Sequence, residues 1–459
     1  MVRYAILGTG LMGVEHLRNL MALADDGAGV VVTALADPHP ASLAAAVDAW
    51  TEHYAAVAAA AAAAANGRVP LAAVPPPPPA TYPSAAALYA AGDPPPFDVL
   101  VVATPNYTHA AVVLAALAAL PPTTHLLVEK PLCTTVADCR ALVADVTARR
   151  WRGVLWNALE YRYMPAVAEV VRRTWQGGVG RVVMAALREH RFPFLDKVGG
   201  WNRFNCWSGG TLVEKCCHFF NLLNLLHAPA RPTSIMASAS QSVNHLEEVH
   251  PAPPGSDAQG ATATPDILDN ALVIVNYGTS ARASLDLCMF AESSAHQEEL
   301  SVVGAAGKLE ALLPQNTVRT GLRGVHTVGA VDEATVADAS IKFDGYHYGS
   351  SYRQHIEFLA TIRGGGVPGK GALGGVVGLA EGLLAVAMGV AAQESVVTPE
   401  EIEAGVAASA AAAAATKTAA TKTAAMATAT AVAASVTTSA MAGAQPTVVP
   451  PCASDTVAP

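Results

Sequence analysis

The sequence predicts an α/β fold in two parts: a parallel sheet covered by helices on both faces, then an α+β unit built on a largely antiparallel open sheet. Three observations lead there. The first part alternates near-continuous apolar strands with helical stretches, the pattern of a sheet buried on both faces. The second carries longer strands in which apolar and polar residues alternate, as in a sheet with one wetter face. The length, 459 residues, exceeds the size at which a single hydrophobic core keeps growing, so two domains are expected.

In chain order, "VRYAILG" (Val2 to Gly8) reads as a strand, and "LMGVEHLRNLMALA" reads as a helix with Leu17, Leu20, Met21 and Leu23 on one side. "VVVTALAD" (Val30 to Asp37), "DVLVVAT" (Asp98 to Thr104) and "HLLVEK" (His125 to Lys130) are further apolar strands. Between the second and third lies an Ala/Pro insertion, about 54–83, whose alanine tract extends a helix and whose "VPPPPPATYP" forms a stiff surface spacer. Strands are expected at 181–191, 270–278, 281–290 and 298–305. Helices are expected at 165–176, 209–221, 352–363 and 378–394. The loop 250–265 is rich in Pro, Gly, Ser and Ala and is read as mobile. The domains expected are 1–150 and 151–401, with 402–459 a low-complexity, disordered tail.

Composition excludes several classes. The formal charge of -9, from 28 basic and 37 acidic side chains, offers no basic stripe for a nucleic acid. The apolar fraction of 52% owes much to alanine, and no apolar run reaches the roughly 18 residues of a membrane helix. With a strand starting at Val2, no presequence is expected and the cytoplasm is the expected compartment. Seven irregularly spaced cysteines read as free thiols of a reducing compartment.

"GTGLMG" spaces glycines at 8, 10 and 13 directly after a strand and at the start of a helix. In the dinucleotide-binding reading Gly8 makes the tight turn, Gly10 admits the pyrophosphate, and Gly13 lets helix and strand pack closely, with Thr9, Leu11 and Met12 completing the loop. Asp37 ends the next strand 24 residues after Gly13. A carboxylate there accepts hydrogen bonds from the ribose hydroxyls and repels a 2′-phosphate, which favours NAD, while the neighbouring His39 leaves NADP open. "ATPNYTHA" (Ala103 to Ala110) lies where ligands bind in such sheets, and Thr104, Pro105, Asn106 and His109 are candidate cofactor ligands; the alternative is that Asn106 and Thr108 only cap the next helix. "EKP" places Glu129 and Lys130, two further candidate cofactor ligands, at the end of a strand. A lysine there is either a solvated surface charge or, beside a nicotinamide, a donor to the oxygen of a reacting hydroxyl.

Taken in order and at their separations, "GTGLMG", the strand-ending "AD", "ATPNYTHA", "EKPL" and "GGTLVEKCCHFF" resemble the glucose-fructose oxidoreductase, inositol dehydrogenase and rhizopine catabolism family, Gfo/Idh/MocA, over roughly residues 2–397. The resemblance implies an N-terminal Rossmann domain, a C-terminal domain whose open sheet often serves as an oligomer interface, and oxidation of a sugar or polyol hydroxyl, or its reverse, with NAD(P). It places Lys130 at the family's E-K-P lysine, and His218 and Glu214 at the family's histidine and acid, as general base and orienting group. The usual aspartate is Glu214 here, and the acid that commonly follows the histidine by three is Asn221. The resemblance leaves open an NAD-dependent glycosidase and a non-catalytic sensor; retention of Lys130 and His218 speaks against the sensor.

Lys197, Trp201, Asn202 and Arg203, in a glycine-rich loop, and Arg162 are candidate substrate ligands, since polar donors beside a flat aromatic suit a polyhydroxylated molecule; the alternative for the loop is a packed segment with buried tryptophans. "EYRYMP" (Glu160 to Pro165) is read as lining the cleft, with the alternative that Tyr161 and Tyr163 belong to the core. On one helix Glu214 and His218, four apart, share a face, while Cys216, Cys217 and His218 fan out by about 100° each and cannot converge on a metal. Neighbouring Cα atoms, about 3.8 Å apart, are also too close for an ordinary disulfide. The two cysteines are therefore expected to be small buried hydrophobes.

Overall fold

The computed structural model describes residues 1–64, 75–92, 95–253, 262–324, 328–368, 373 and 375–396. The expectations for the tail from 402 onward, and for the centre of the 250–265 loop, lie outside the described residues.

Six parallel strands form the first sheet: β1 (Val2–Leu7), β2 (Val30–Ala36), β3 (Ala80–Tyr82), β4 (Val99–Val102), β5 (His125–Val128) and β6 (Leu155–Asn157). Their order is β3-β2-β1-β4-β5-β6. Every residue of β4 is buried, because helices cover both faces of this central strand and leave no wet side to tolerate a polar residue. The helices are α1 (Leu11–Asp25), α2 (Pro40–Ala64), α3 (Ala85–Tyr89), α4 (His109–Ala119) and α5 (Val136–Arg149). The Thr135 hydroxyl caps α5 by accepting from the Asp138 N–H at 3.1 Å. Strand order reverses between β1 and β4, and the crevice beyond their carboxyl ends is where a ligand binds in such sheets.

The Ala/Pro insertion is more than a spacer. Its last residues, Ala80–Tyr82, pair in parallel with Ala34 to Ala36 and complete the edge of the sheet.

After α6 (Pro165–Trp175) comes β7 (Val182–His190), followed by three short helices: α7 (Asn205–Ser208), α8 (Thr211–Glu214) and α9 (Cys217–His227). The remaining strands are β8 (Ser234–Ser240), β9 (His250–Pro251), β10 (Thr262–Ala263), β11 (Asn270–Tyr277), β12 (Ala281–Cys288), β13 (Glu298–Gly304), β14 (Gly307–Leu313), β15 (Thr317–Leu322) and β16 (Asp332–Thr335). β9 and β10 pair with each other, so the ends of the 250–265 loop are ordered. The rest form an eight-stranded sheet, β16-β15-β14-β13-β7-β12-β11-β8, antiparallel except where β7 meets β12.

One face of this sheet packs on α6 and α9. The other, expected to be wetter, exposes Met184, Met236, Leu272 and Ile274, with Met236 directly opposite Ile274. Helix α10 (Ser350–Arg363) packs on α1, and α11 (Leu379–Glu394) joins the two halves, since its Leu383 and Val386 share a core with Leu100 and Val102 while its Met388 and Ala391 join the other core. No helix among the described residues is long and apolar enough to cross a membrane.

Candidate active site at the switch point of the parallel sheet

Gly8 and Gly13 of "GTGLMG" each have a steric reason within the chain, and Gly10 does not. Gly8 sits at φ +89°, and a Cβ there would lie 2.5 Å from the Ala103 carbonyl oxygen. A Cβ on Gly13 would lie 1.9 Å from the Gly8 carbonyl oxygen, so the helix could not approach the strand. A Cβ on Gly10 would meet nothing within 4 Å, so that position faces open space. Gly10 also precedes α1 without a side-chain cap, and Leu11 and Met12 open the helix, leaving first-turn N–H groups free for an anion. The loop therefore fits a dinucleotide pyrophosphate.

Asp37 accepts from the Thr9 N–H at 2.6 Å and the Thr9 hydroxyl at 3.1 Å, which ties the end of β2 to the loop. The His39 ring, just before α2, lies 2.8 Å from the Ser42 hydroxyl in the first turn of that helix. Replacing Gly10 with alanine is expected to leave the melting temperature unchanged and to weaken NADH binding about tenfold or more, a cost of about 1.4 kcal/mol, read by fluorescence titration. Gly13→Ala is expected to lower both.

Neither Asn106 nor Thr108 caps a helix with its side chain. Thr108 donates to the Thr104 hydroxyl at 2.7 Å, next to Pro105, while the buried Asn106 amide reaches across to the Ser208 carbonyl at 3.2 Å and to the Glu214 carboxylate. His109, also buried, places its two ring nitrogens 2.8 and 2.9 Å from the Pro131 and Thr104 carbonyl oxygens, which fixes the "ATPNYTHA" turn against the E-K-P segment.

At the carboxyl end of β5, Lys130 turns its ammonium toward the Glu214 carbonyl at 3.2 Å and the Glu214 carboxylate at 3.4 Å. The same carboxylate oxygen lies 3.5 Å from the Lys197 ammonium, which sits 4.4 Å over the Trp201 ring. Burial by itself would push Glu214 up, yet Lys130, Lys197 and Asn106 hold it at about 2. Burial likewise opposes the Lys130 charge, and the negative charge of Glu214 outweighs it, so Lys130 stays protonated. Lys197, with a weaker hold on the same acid, is lowered by its burial. Glu129 faces the other way, taking His16 at 2.8 Å and the Lys130 N–H at 3.2 Å, with His355 behind His16 at 2.9 Å.

Glu214 and His218 do not lie on one helix. The chain turns at Lys215 and Cys216, between α8 and α9, where Lys215 reaches Glu189 at 2.8 Å and the Tyr161 phenol. Glu214 therefore serves the two lysines, and the acid beside His218 is Glu160, whose Oε1 lies 3.9 Å from Nε2 of His218. The His218 ring stacks on Tyr161 with centroids 4.0 Å apart. Burial, with Lys130 and Lys215 adding positive charge, holds His218 well below its ordinary value, so it is neutral. Cys216 and Cys217 are buried in the apolar core, as expected of small hydrophobes.

Of the residues expected to meet a substrate, Arg162 is the clear departure. Its buried guanidinium engages Asn221 at 2.6 and 3.2 Å and the Leu373 carbonyl at 3.0 Å, behind α9. Arg203 is also buried and brings together Asp196 at 2.6 Å and Glu248 at 3.0 Å, while Asn202 donates to the Leu195 carbonyl at 2.9 Å. These two shape the loop that walls a cavity of about 430 Å³, lined in part by Asp196, Lys197, Glu248 and His250. Lys197 joins that cavity to Glu214. Glu160 lies in the "EYRYMP" stretch expected at the cleft, but nothing in the sequence pairs it with a histidine, and His347 carries no local signal at all.

Residues 2–152 match the family model described as "Oxidoreductase family, NAD-binding Rossmann fold", and residues 175–423 match "Oxidoreductase family, C-terminal alpha/beta domain". An inositol 2-dehydrogenase of Saccharopolyspora erythraea is 27% identical over 184 residues, 40% of this chain and 44% of that protein. The chain matches less than half the length of each of three curated relatives: 29%, 44% and 38%. Among solved structures, levoglucosan dehydrogenase in complex with NADH superposes with a TM-score of 0.62 at 17% identity, over 86% of this chain and 96% of that one. The WlbA dehydrogenase of Bordetella pertussis, solved with NADH and UDP-GlcNAcA, gives 0.55 at 18% over 86% and 96%. Both share the fold.

Proposed function

The chain belongs to the Gfo/Idh/MocA oxidoreductase family, and from that premise we propose that it is an NAD(P)-dependent dehydrogenase or reductase. It moves hydride between the nicotinamide and the hydroxyl or carbonyl carbon of a sugar, polyol or related small molecule. The supporting observation is the pairing of opposite protonation states beside the crevice: a Lys130 kept charged by Glu214, near a His218 kept neutral by burial.

When bound, the nicotinamide supplies the hydride acceptor. The chain's own residues hold and deprotonate the reacting hydroxyl. A neutral imidazole can take the hydroxyl proton, and His218 is that base. The Lys130 ammonium donates to the same oxygen and stabilises the alkoxide as it forms, in a site dry enough to strengthen that contact. Glu214 keeps the Lys130 ammonium aimed and charged without touching the substrate. Asp37 favours NAD over NADP, and a lower KM for NAD+ than for NADP+ is the check.

The test is an absorbance screen for reduced cofactor across polyols, aldoses, inositols and sugar acids. A panel member that reduces NAD+ supports the reading; glycoside cleavage without net NADH points instead to the glycosidase alternative. The exposed apolar face at Met236 and Ile274 suits a second copy of the chain. Ile274→Lys is expected to convert the oligomer to a smaller species in sedimentation velocity, and an unchanged sedimentation coefficient would place the contact elsewhere.

A further inference from the structure

Glu160 is a buried carboxyl group, 1% exposed, and neither of its oxygens has a hydrogen-bond partner among the described residues. Leaving such a group unpaired costs free energy that an amide or apolar residue would avoid. It stands between two histidines. Its Oε1 lies 3.9 Å from Nε2 of His218 and 3.6 Å from Nδ1 of His347. Tyr161 spaces the two rings, at centroid distances of 4.0 and 5.5 Å. The His218 side chain is 1% exposed, whereas that of His347 is 21% exposed. The turn that carries His347, Gly345–His347, is pinned to α1 by the Tyr346 N–H donating to Glu15 at 3.2 Å.

We propose that Glu160 and His347 form a proton path between His218 and solvent, an assignment that rests on the dehydrogenase reading. A base enclosed this far from water must discharge the proton it takes before it can act again. Glu160, which carries a proton at rest, breaks its O–H bond as His347 gains a proton at Nδ1, and the His347 ring releases one proton to water. The Glu160 carboxylate then gains an O–H bond as the imidazolium formed on His218 breaks its Nε2–H bond. Each step moves one proton and no electrons. Both gaps need close by only about 1 Å to become hydrogen bonds, as contacts of this kind do on ligand binding.

The surrounding charges suit a shuttling proton. Burial and the neighbouring Glu129 charge raise Glu160 to about 8, against the opposing pull of Lys130 and Lys215. Burial, with Lys130, Lys215 and His347, keeps His218 low, and burial with Lys215, Lys130, Arg191 and His16 does the same to His347. The proton therefore passes downhill from His218 to Glu160, and the transfer from Glu160 to His347 is the uphill step that release to water completes.

The test has two readouts. In the ligand-free protein, infrared titration of wild type should show a protonated carboxyl band with a midpoint near 8 that is missing in Glu160→Gln and shifted in His347→Asn. With the most active compound of the screening panel, His347→Asn should lose kcat roughly 10- to 100-fold at unchanged KM, and recover as imidazole buffer is raised, while wild type ignores the buffer. A His347→Asn enzyme with wild-type kcat, a loss that imidazole does not rescue, or absence of the band would overturn the path and leave the dehydrogenase reading standing. A titrating, His347-sensitive band with no panel compound reducing the cofactor would support the shared proton while refuting the dehydrogenase.

Discussion

Lys130→Met should lower kcat/KM by about 10³-fold while NADH affinity stays near that of wild type. The ammonium is held protonated and buried against Glu214, so its charge enters a poorly hydrated site where one donor to a developing alkoxide contributes about 10²- to 10³-fold. Methionine keeps the aliphatic stem and removes only the charge. The loss should appear in kcat, because the contact strengthens as the oxygen gains charge and is weak in the ground state. Circular dichroism should be unchanged, since Glu214 still has Lys197 and Asn106.

Glu214→Gln should destabilise the fold by about 3 kcal/mol or more at neutral pH, measured by denaturant unfolding. Removing one partner of a buried ion pair leaves the others uncompensated, and here two ammonium groups lose the same carboxylate. The pH dependence gives an internal check. Folding holds Glu214 at about 2, below the ordinary value of 4.5, so its ionisation contributes stability that is fully present above about pH 4.5 and lost as pH falls toward 2. Wild type and variant should therefore converge in stability through that window, as wild type itself takes up the proton.

How much of this was legible in the chain follows from what each element depends on. Strands β1, β2, β4 and β5 are near-continuous apolar runs, the mark that cover by helices on both faces leaves in a sequence. Strands β3 and β6 have three residues each; what makes "ATY" and "LWN" strands is the sheet edge beside them, which no local pattern records. The glycine loop was readable because its three glycines fall at a fixed spacing between one strand and one helix, all within a dozen residues. The broken helix was not, because "LVEKCC" contains no glycine or proline, and the turn coincides with Lys215 reaching Glu189 from another strand. Arg162 looked like a free donor until Asn221, far along the chain, appeared beside it. The pairing of Glu160 was hidden for the same reason, since its histidines come 58 and 187 residues later.

The most direct test of the central claim, that Lys130 and His218 serve one reacting hydroxyl, follows a labelled hydrogen. The most active panel compound is deuterated at its carbinol carbon, and the reduced cofactor is analysed by mass spectrometry. Transfer of that deuterium to the nicotinamide, abolished together with turnover in both Lys130→Met and His218→Ala, is the predicted result. Deuterium transfer at wild-type rate in either variant would contradict the account.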